Sequence, residues 1–448
     1  MKMIYNVNDK PKFLQLIVFA IQQLLAIMAA TLVVPVIVGN GMQPSAALFG
    51  AGVGTIVYVL FTKAKSPVFL GSSFAFLGSM AAAFAGAVSV QLGYLGLIIG
   101  AACAGLVYVI IAIIVKLVGV NWINKLMPAV VIGPTVAIIG LSLAGNAIGD
   151  LMKTKVADAE GNVLTSPYVA LVCGLVTLAV TMVCSTYGKK MMKLIPFVIG
   201  ILAGYATGAI FTVIGTLTNN DALKVIDFSI FASMNSIFTV PEFTFLTAIK
   251  GVKDFDLAYL ATVAVAYVPV AFVVFAEHIA DHKNLSTIIE KDLLEEPGLH
   301  RTLLGDGIGS VAGAIFGGCP NTTYGESVGC VAITRNCSVI TIITAAIGAI
   351  LIAFINPFVV FVNSIPSCVM GGVCMALYGF IAVSGLKMIQ KVDLEKNRNL
   401  FVVSVILIAG IGGLTLTFGK VTLTSIACAL ILGILTNVLL SGKNADAE

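Results

Sequence analysis

Stretches without a single charged residue recur along this chain, each ending at a short polar break: Phe13 to Val38, Gly93 to Val115, Leu257 to Ala276, Ser338 to Val362 and Val421 to Ser441. A helix rising about 1.5 Å per residue crosses a hydrocarbon core of roughly 30 Å in about 20 residues, so each stretch is long enough to span. A helix also satisfies its own backbone hydrogen bonds, which lipid cannot do. Adding the shorter pieces interrupted by Gly and Pro gives about fourteen predicted spans at that length. The N-terminal MKMIYNVNDKPKF is short and polar. It runs into an apolar stretch longer than a signal-peptide core and shows no small-residue cleavage site, so it reads as retained.

Composition agrees with the pattern. The chain has 448 residues, of which 59% are hydrophobic and 10% charged, whereas a soluble domain carries about 25% charged residues. The fold class expected is an all-α polytopic membrane protein. An even number of spans puts both termini on one side, and with that side cytoplasmic about 19 of the basic residues fall in inner loops, the bias expected there. Lys2, Lys125 and Lys443 count as inner on this reading, Lys155 and Lys420 as outer. The net charge of +4 then reflects topology. No basic run with interleaved aromatics points to a nucleic-acid partner. The nine cysteines lack CxxC spacing and read as small packing residues, with no metal and no cofactor expected. HExxH, GxSxG and Walker-type motifs are absent, so an enzyme is not expected.

The two halves echo each other. MPAVVIG (Met127 to Gly133) and IPSCVMG (Ile365 to Gly371) both read P-x-x-V-x-G, and a second pair precedes them: KSPVFLGSSFAF (Lys65 to Phe76) and FGGCPNTTYGESVG (Phe316 to Gly329). Seven spans separate corresponding elements. An odd number per half gives two inverted repeats of seven, with short extended segments breaking spans 3 and 10. Paired broken segments mark a transporter's binding site, because backbone that leaves helical geometry at membrane depth must be buried in protein or face a cavity. The alternative is that these small residues only allow close helix packing.

Two carboxylates stand out. Glu277 follows an uncharged run and opens EHIADHK, so hydropathy leaves it either within the membrane or at the cytoplasmic rim. Asp281 lies one helical turn on and would share its face, while His278 points elsewhere. His282 and His300 read as residues of a solvated cytoplasmic loop, as does the connector Glu290 to Arg301. Glu326 follows a stretch, Gly307 to Tyr324, that holds no charge. Acids within the membrane are costly and line cavities or proton pathways. Glu277, Asp281 and Glu326 are therefore the candidate proton-coupling groups.

PNTTYGESVGCVAITR (Pro320 to Arg335) resembles the signature region of the nucleobase/ascorbate transporter family, and FAEHIADHKNLS (Phe275 to Ser286) resembles its eighth-helix acid motif. With LGSSFAF and QQLLAIMAATLVVP (Gln22 to Pro35), the likeness covers nearly the whole chain and is nearest the bacterial uracil permease branch. The resemblance implies a core domain (1–125 with 255–363) moving past a gate domain (126–215 with 364–448), joined by an outer connector (216–254). It implies a proton-coupled nucleobase importer of elevator type, commonly a homodimer, in the cell membrane with both termini cytoplasmic. It further implies that Glu277 and Glu326 contact the substrate and that backbone N–H groups at Phe74 and Gly325 meet its carbonyls, with the rings of Phe74 and Tyr324 shaping the pocket. Uracil, with two N–H donors and two carbonyl acceptors, suits such a donor and acceptor set. Three departures stand against the family pattern: Gln23 where many relatives have His, Asp281 where some have His, and Ser327 where Asn is common. The shorter Ser327 predicts a looser hold on Glu326. Arg335 is expected to anchor a helix end. The rival readings are a purine substrate such as xanthine or uric acid, and an anion exchanger or channel of the same architecture. The segment SIFASMNSIFTVPEF is expected to form a short surface helix or hairpin.

Overall fold

A computed structural model of the chain describes residues 3–119, 128–154, 156–157, 163–232, 234–418 and 421–441. Lys2, Lys125, Met127, Lys155, Ser233, Lys420, Lys443 and the expected domain boundary at 125/126 lie outside the described residues. The helices are α1 (Phe13–Val38), α2 (Pro44–Phe61), α3 (Leu77–Ala85), α4 (Val90–Val118), α5 (Ala129–Ser142), α6 (Ala144–Leu151), α7 (Pro167–Tyr187), α8 (Met191–Leu194), α9 (Pro196–Leu217), α10 (Ser229–Ala232), α11 (Thr244–Gly251), α12 (Leu257–Ile289), α13 (Leu299–Gly317), α14 (Gly325–Thr334), α15 (Val339–Ile352), α16 (Asn356–Ser364), α17 (Ser367–Ile389), α18 (Asn397–Ile411) and α19 (Ser425–Leu439). Two strand pairs accompany them: β1 (Leu70–Ser72) with β2 (Asn321–Thr323), and β3 (Leu416–Phe418) with β4 (Val421–Leu423).

Among the described residues eight helical stretches are long and apolar enough to cross a membrane, and α15, α18 and α19 are shorter apolar helices. This is a helical, multi-pass membrane protein. Its outer faces have the chemistry lipid requires: on α4, Leu106, Ile110, Ile113 and Leu117 recur every three or four residues and are all exposed. In water such a stripe would be a large apolar patch, but in a bilayer it is solvated by acyl chains.

The expected run Phe13 to Val38 is a single helix with those ends. Two other runs differ. Ser338 to Val362 divides into α15 and α16 around residues 353–355, with Pro357 opening the second helix; proline favours a first helical turn and disfavours an interior one. Val421 to Leu423 is a strand, and α19 starts only at Ser425, where the Thr424 side chain accepts from the Ala427 N–H. The segment around SIFASMNSIF forms the short helix α10, and Phe238 bridges to Ile355.

Helices α1, α2, α4, α11, α12, α13 and α15 pack mainly on one another, as do α5, α6, α7, α9, α17, α18 and α19. The α2 and α13 backbones nearly touch: a Cβ at Gly50 would lie 2.5 Å from the Gly313 carbonyl oxygen, and one at Gly54 would lie 2.7 Å from that of Gly309. The two P-x-x-V-x-G segments lead into α5 and α17, which also pack on each other, with a Cβ at Gly385 falling 2.5 Å from the Gly133 oxygen. Close approach through small residues gives membrane helices contact area where no hydrophobic driving force exists between them.

Gly54→Leu is expected to force α2 from α13 and from the Asn321 side chain, 2.5 Å from that Cβ position, at a cost of about 1–3 kcal/mol or more. Thermal melts in detergent should show a lower Tm for it, while Gly145→Ala, whose Cβ meets nothing within 4 Å, should melt at or slightly above the wild-type temperature.

Candidate substrate-binding site

Two chain segments leave helical geometry inside the protein and solve their backbone problem together. β1 and β2 pair antiparallel with Leu70 opposite Thr323, Gly71 opposite Thr322 and Ser72 opposite Asn321. The ladder continues at both ends, from the Ser73 N–H to the Pro320 oxygen at 2.9 Å and from the Tyr324 N–H to the Phe69 oxygen at 3.3 Å. Side chains lock the pair to its neighbours. Thr55 Oγ1 on α2 accepts from the Leu70 N–H at 2.9 Å, and Asn321 Nδ2 donates to the Gly50 oxygen on the same helix at 3.0 Å. Ser327 Oγ accepts from the Phe69 N–H at 2.9 Å and also from Gln23 Nε2 on α1. The Tyr324 hydroxyl donates to the Ser72 oxygen at 2.6 Å. Its ring lies on Gly71, where a Cβ would come within 2.4 Å of ring carbons, so that glycine is required by close approach.

Each strand leads into a half-length helix, β1 into α3 and β2 into α14. The first N–H groups of a helix have no acceptor within it. Gly325 and Glu326 occupy the first two positions of α14, and both line a cavity of about 240 Å³ together with Ser73, Phe74 and Ala75 from the β1–α3 turn. Helix α12 supplies the facing wall. It runs unbroken from Leu257 to Ile289, so EHIADHK is helical and Glu277 lies well inside the helix. Glu277 and Asp281, four residues apart, both face the cavity, and Thr323 Oγ1 donates to Asp281 Oδ2 at 2.9 Å. The third wall is α17, with Leu377, Phe380, Ile381, Ser384 and Met388, joined by Val136 of α5. Phe74 meets Tyr378 of α17 edge-on, ring centroids 6.2 Å apart.

All six residues singled out in the sequence, Phe74, Glu277, Asp281, Tyr324, Gly325 and Glu326, line this one cavity. In front of Gly325 the space is open, since a Cβ there would meet only Asp281 Oδ1, at 3.9 Å. Ser73, Thr322 and Thr323 stood within the two broken motifs and were passed over, although hydroxyls on non-helical backbone were a usable signal. Phe380 and Ser384 carried no signal beyond their place after the second P-x-x-V-x-G segment.

Behind the carboxylates lies a second polar layer. His278 Nδ1 is 2.7 Å from Asp306 Oδ2, and His278 Nε2 is 2.9 Å from Thr302 Oγ1; the side chains of His278 and Asp306 are fully buried. These contacts fasten α12 to α13 next to Glu277. His282 does not sit in a solvated loop. It is buried, its Nδ1 2.8 Å from the His278 carbonyl oxygen and its Nε2 2.6 Å from the Tyr58 hydroxyl, because α12 continues about three turns beyond Glu277, where the polar residues begin. Arg335 takes the left-handed position that ends α14, with φ +55°.

Residues 14–419 match the profile of the permease family. The chain belongs to this family, the nucleobase/ascorbate transporters. It is 38% identical to a uracil permease of Bacillus caldolyticus over 100% of this chain and 97% of that protein. It is likewise 38% identical to one of Bacillus subtilis over 99% and 97%, and 35% identical to one of Escherichia coli over 96% and 92%. Among solved structures, the transmembrane domain of a cyanobacterial bicarbonate transporter, BicA, superposes with a TM-score of 0.64 at 15% identity, covering 97% of this chain and all of that one. That likeness concerns the fold alone. As a member of the nucleobase/ascorbate transporters the protein is a membrane transporter and not an enzyme.

The Thr323 to Asp281 bond joins β2 to α12 across the cavity floor. Thr323→Val is expected to lower stability by about 1 kcal/mol, and a double-mutant cycle with Asp281→Ala should recover a coupling of similar size. Melts of the four proteins in detergent would measure it.

Proposed function

We propose that the protein imports uracil, coupled to protons, by alternating access of elevator type. The observation that supports this best is the meeting, in one cavity, of Glu277, Glu326 and the exposed start of α14 at Gly325, in a chain resembling uracil permeases along its whole length. Uracil is flat and neutral, with N–H and C=O groups alternating around its ring. Carboxylates accept from N–H, and unpaired helix N–H groups donate to carbonyl oxygen, so each polar edge of the base has a complement here. Phe74 offers a ring face or edge to the flat molecule. A desolvated site of this kind discriminates strongly, because a base lacking one donor leaves a buried carboxylate unpaired.

The proton is assigned to Glu277, Asp281 or Glu326. The described cavity wall holds no Lys or Arg to balance them, so carrying a proton across with the substrate removes charge from the site while it moves. The architecture shared with a bicarbonate transporter does not extend to an anion substrate, since acids without a counter-charge repel one. Taking α13 and the two broken segments as crossings beside the long and shorter apolar helices gives fourteen, arranged as two inverted repeats. In this reading the group of helices around α2 and α13 is the core (1–125 and 255–363), and that around α5 and α17 is the gate (126–215 and 364–448). The site lies between them, both termini are cytoplasmic, and the working unit in the membrane is a homodimer.

Uptake of labelled uracil into proteoliposomes tests the proposal. An inward proton gradient should stimulate uptake and excess xanthine should leave it unchanged; uptake indifferent to collapse of the gradient would remove proton coupling. Glu326→Gln replaces a charge-assisted acceptor by an amide and is expected to raise KM about tenfold or more. Gly325→Val projects methyl groups into the open space before the helix start and should abolish uracil binding while leaving the melting temperature within a degree or two of wild type, a separation a merely destabilising change would not show.

A further inference from the structure

We propose that a second cavity, on the other side of Phe74 from the carboxylates, is an outer vestibule that holds a nucleobase before it reaches them. This rests on the reading of the chain as a uracil importer. The second cavity measures about 270 Å³ against about 240 Å³ for the first, so whatever fits one in bulk fits the other. Phe74 and Ala75 line both, so the turn between β1 and α3 is the wall the two cavities share.

The two cavities lie in series along one helix. The first touches α5 at Val136, and the second touches it at Ile139 and at Ser142, roughly 9 Å further along the helix at 1.5 Å per residue, and continues to Asn146 on α6. At its other end the first cavity reaches Met388, beside Lys387 and Lys391 at the close of α17. Basic residues mark the cytoplasmic side, so the second cavity faces outward.

Its chemistry narrows the ligand. No charged residue lines it, which disfavours an ion. Ser142 Oγ already donates to the Ile139 oxygen at 3.0 Å, and Thr424 Oγ1 already accepts from the Ala427 N–H. Asn146 and Ser425 also line the space, and the exposed Asn146 side chain makes no hydrogen bond to the described residues. An amide side chain presents a donor beside an acceptor, the complement of the adjacent C=O and N–H of a lactam; Asn and Gln use the same pairing on base edges in nucleic acids. With apolar walls from Ile37, Leu77 and Ile426, the site suits a flat, neutral lactam heterocycle.

The test uses full-length protein in proteoliposomes. Asn146→Cys should be modified by a small methanethiosulfonate reagent above the wild-type background, and uracil should slow that modification even when Glu326→Gln weakens the inner site. Asn146→Leu should raise KM for uptake from outside by about fivefold, the worth of one net hydrogen bond, while the affinity of the purified protein for uracil at the inner site stays within about twofold. Absence of protection, or wild-type KM in Asn146→Leu, overturns the vestibule while uracil import stands. Wild-type vesicles that import no uracil overturn the functional reading and the vestibule with it.

Discussion

The structure depends on a constraint imposed by lipid: a helix that stops inside the membrane frees backbone groups that must find partners within the protein. Here two helices, α3 and α14, begin only after non-helical segments, and those segments, Leu70–Ser72 and Asn321–Thr323, satisfy each other. Neither break is tolerable alone, which is why motifs far apart in sequence are interdependent. The register of the pair matters as much as its existence. Side chains alternate along a strand, so a slip of one residue would turn Thr323 away from Asp281 and withdraw Ser72 from the Tyr324 hydroxyl. Thr55 and Asn321 fix the register against α2, and the bare backbone contacts of α2 with α13 leave those helices little freedom to shift.

From that pairing the site follows. Because the strands run antiparallel and each feeds a helix, the turn before α3 and the start of α14 are brought to the same cavity. The partial positive charge of a helix start lies close to Glu326 in the first turn of α14. The walls are unequal in character. Strands, half-helices and α12 bring nearly all the polar atoms, whereas α17 and α5 bring mainly apolar surface. An apolar wall makes few hydrogen bonds to whatever occupies the cavity, so the polar side carries the directional contacts.

Much of this was legible in the chain. Uncharged runs indicate the spans, Pro and Gly the breaks, and an acid after a long uncharged stretch marks Glu326, whereas Glu277, at the end of an uncharged run with Lys283 close by, has a depth that hydropathy leaves open. What escaped had physical causes. The polar sequence EHIADHK looks like the start of a loop, yet its residues are polar because they face a cavity and a buried network, and the helix continues to Ile289. Asp306 passed unnoticed because its partner, His278, is 28 positions away and nothing local announces the contact. Phe380 and Leu377 escaped for the opposite reason: in a membrane protein an apolar residue facing a cavity and one facing lipid are the same letter.

The departures from the family pattern show the same limit most clearly. Gln23 and Ser327 look like two independent substitutions, and the shorter Ser327 alone predicts a looser Glu326. In the folded chain they are one contact: the Gln23 amide donates to Ser327 Oγ, which also accepts from the Phe69 N–H. The long Gln23 side chain on α1 reaches the short Ser327 side chain on α14, so the two positions act as one contact. Ser327 is fully buried and receives two donors, which fixes the first turn of α14 to both α1 and β1. The backbone that carries Glu326 is therefore held at its neighbour.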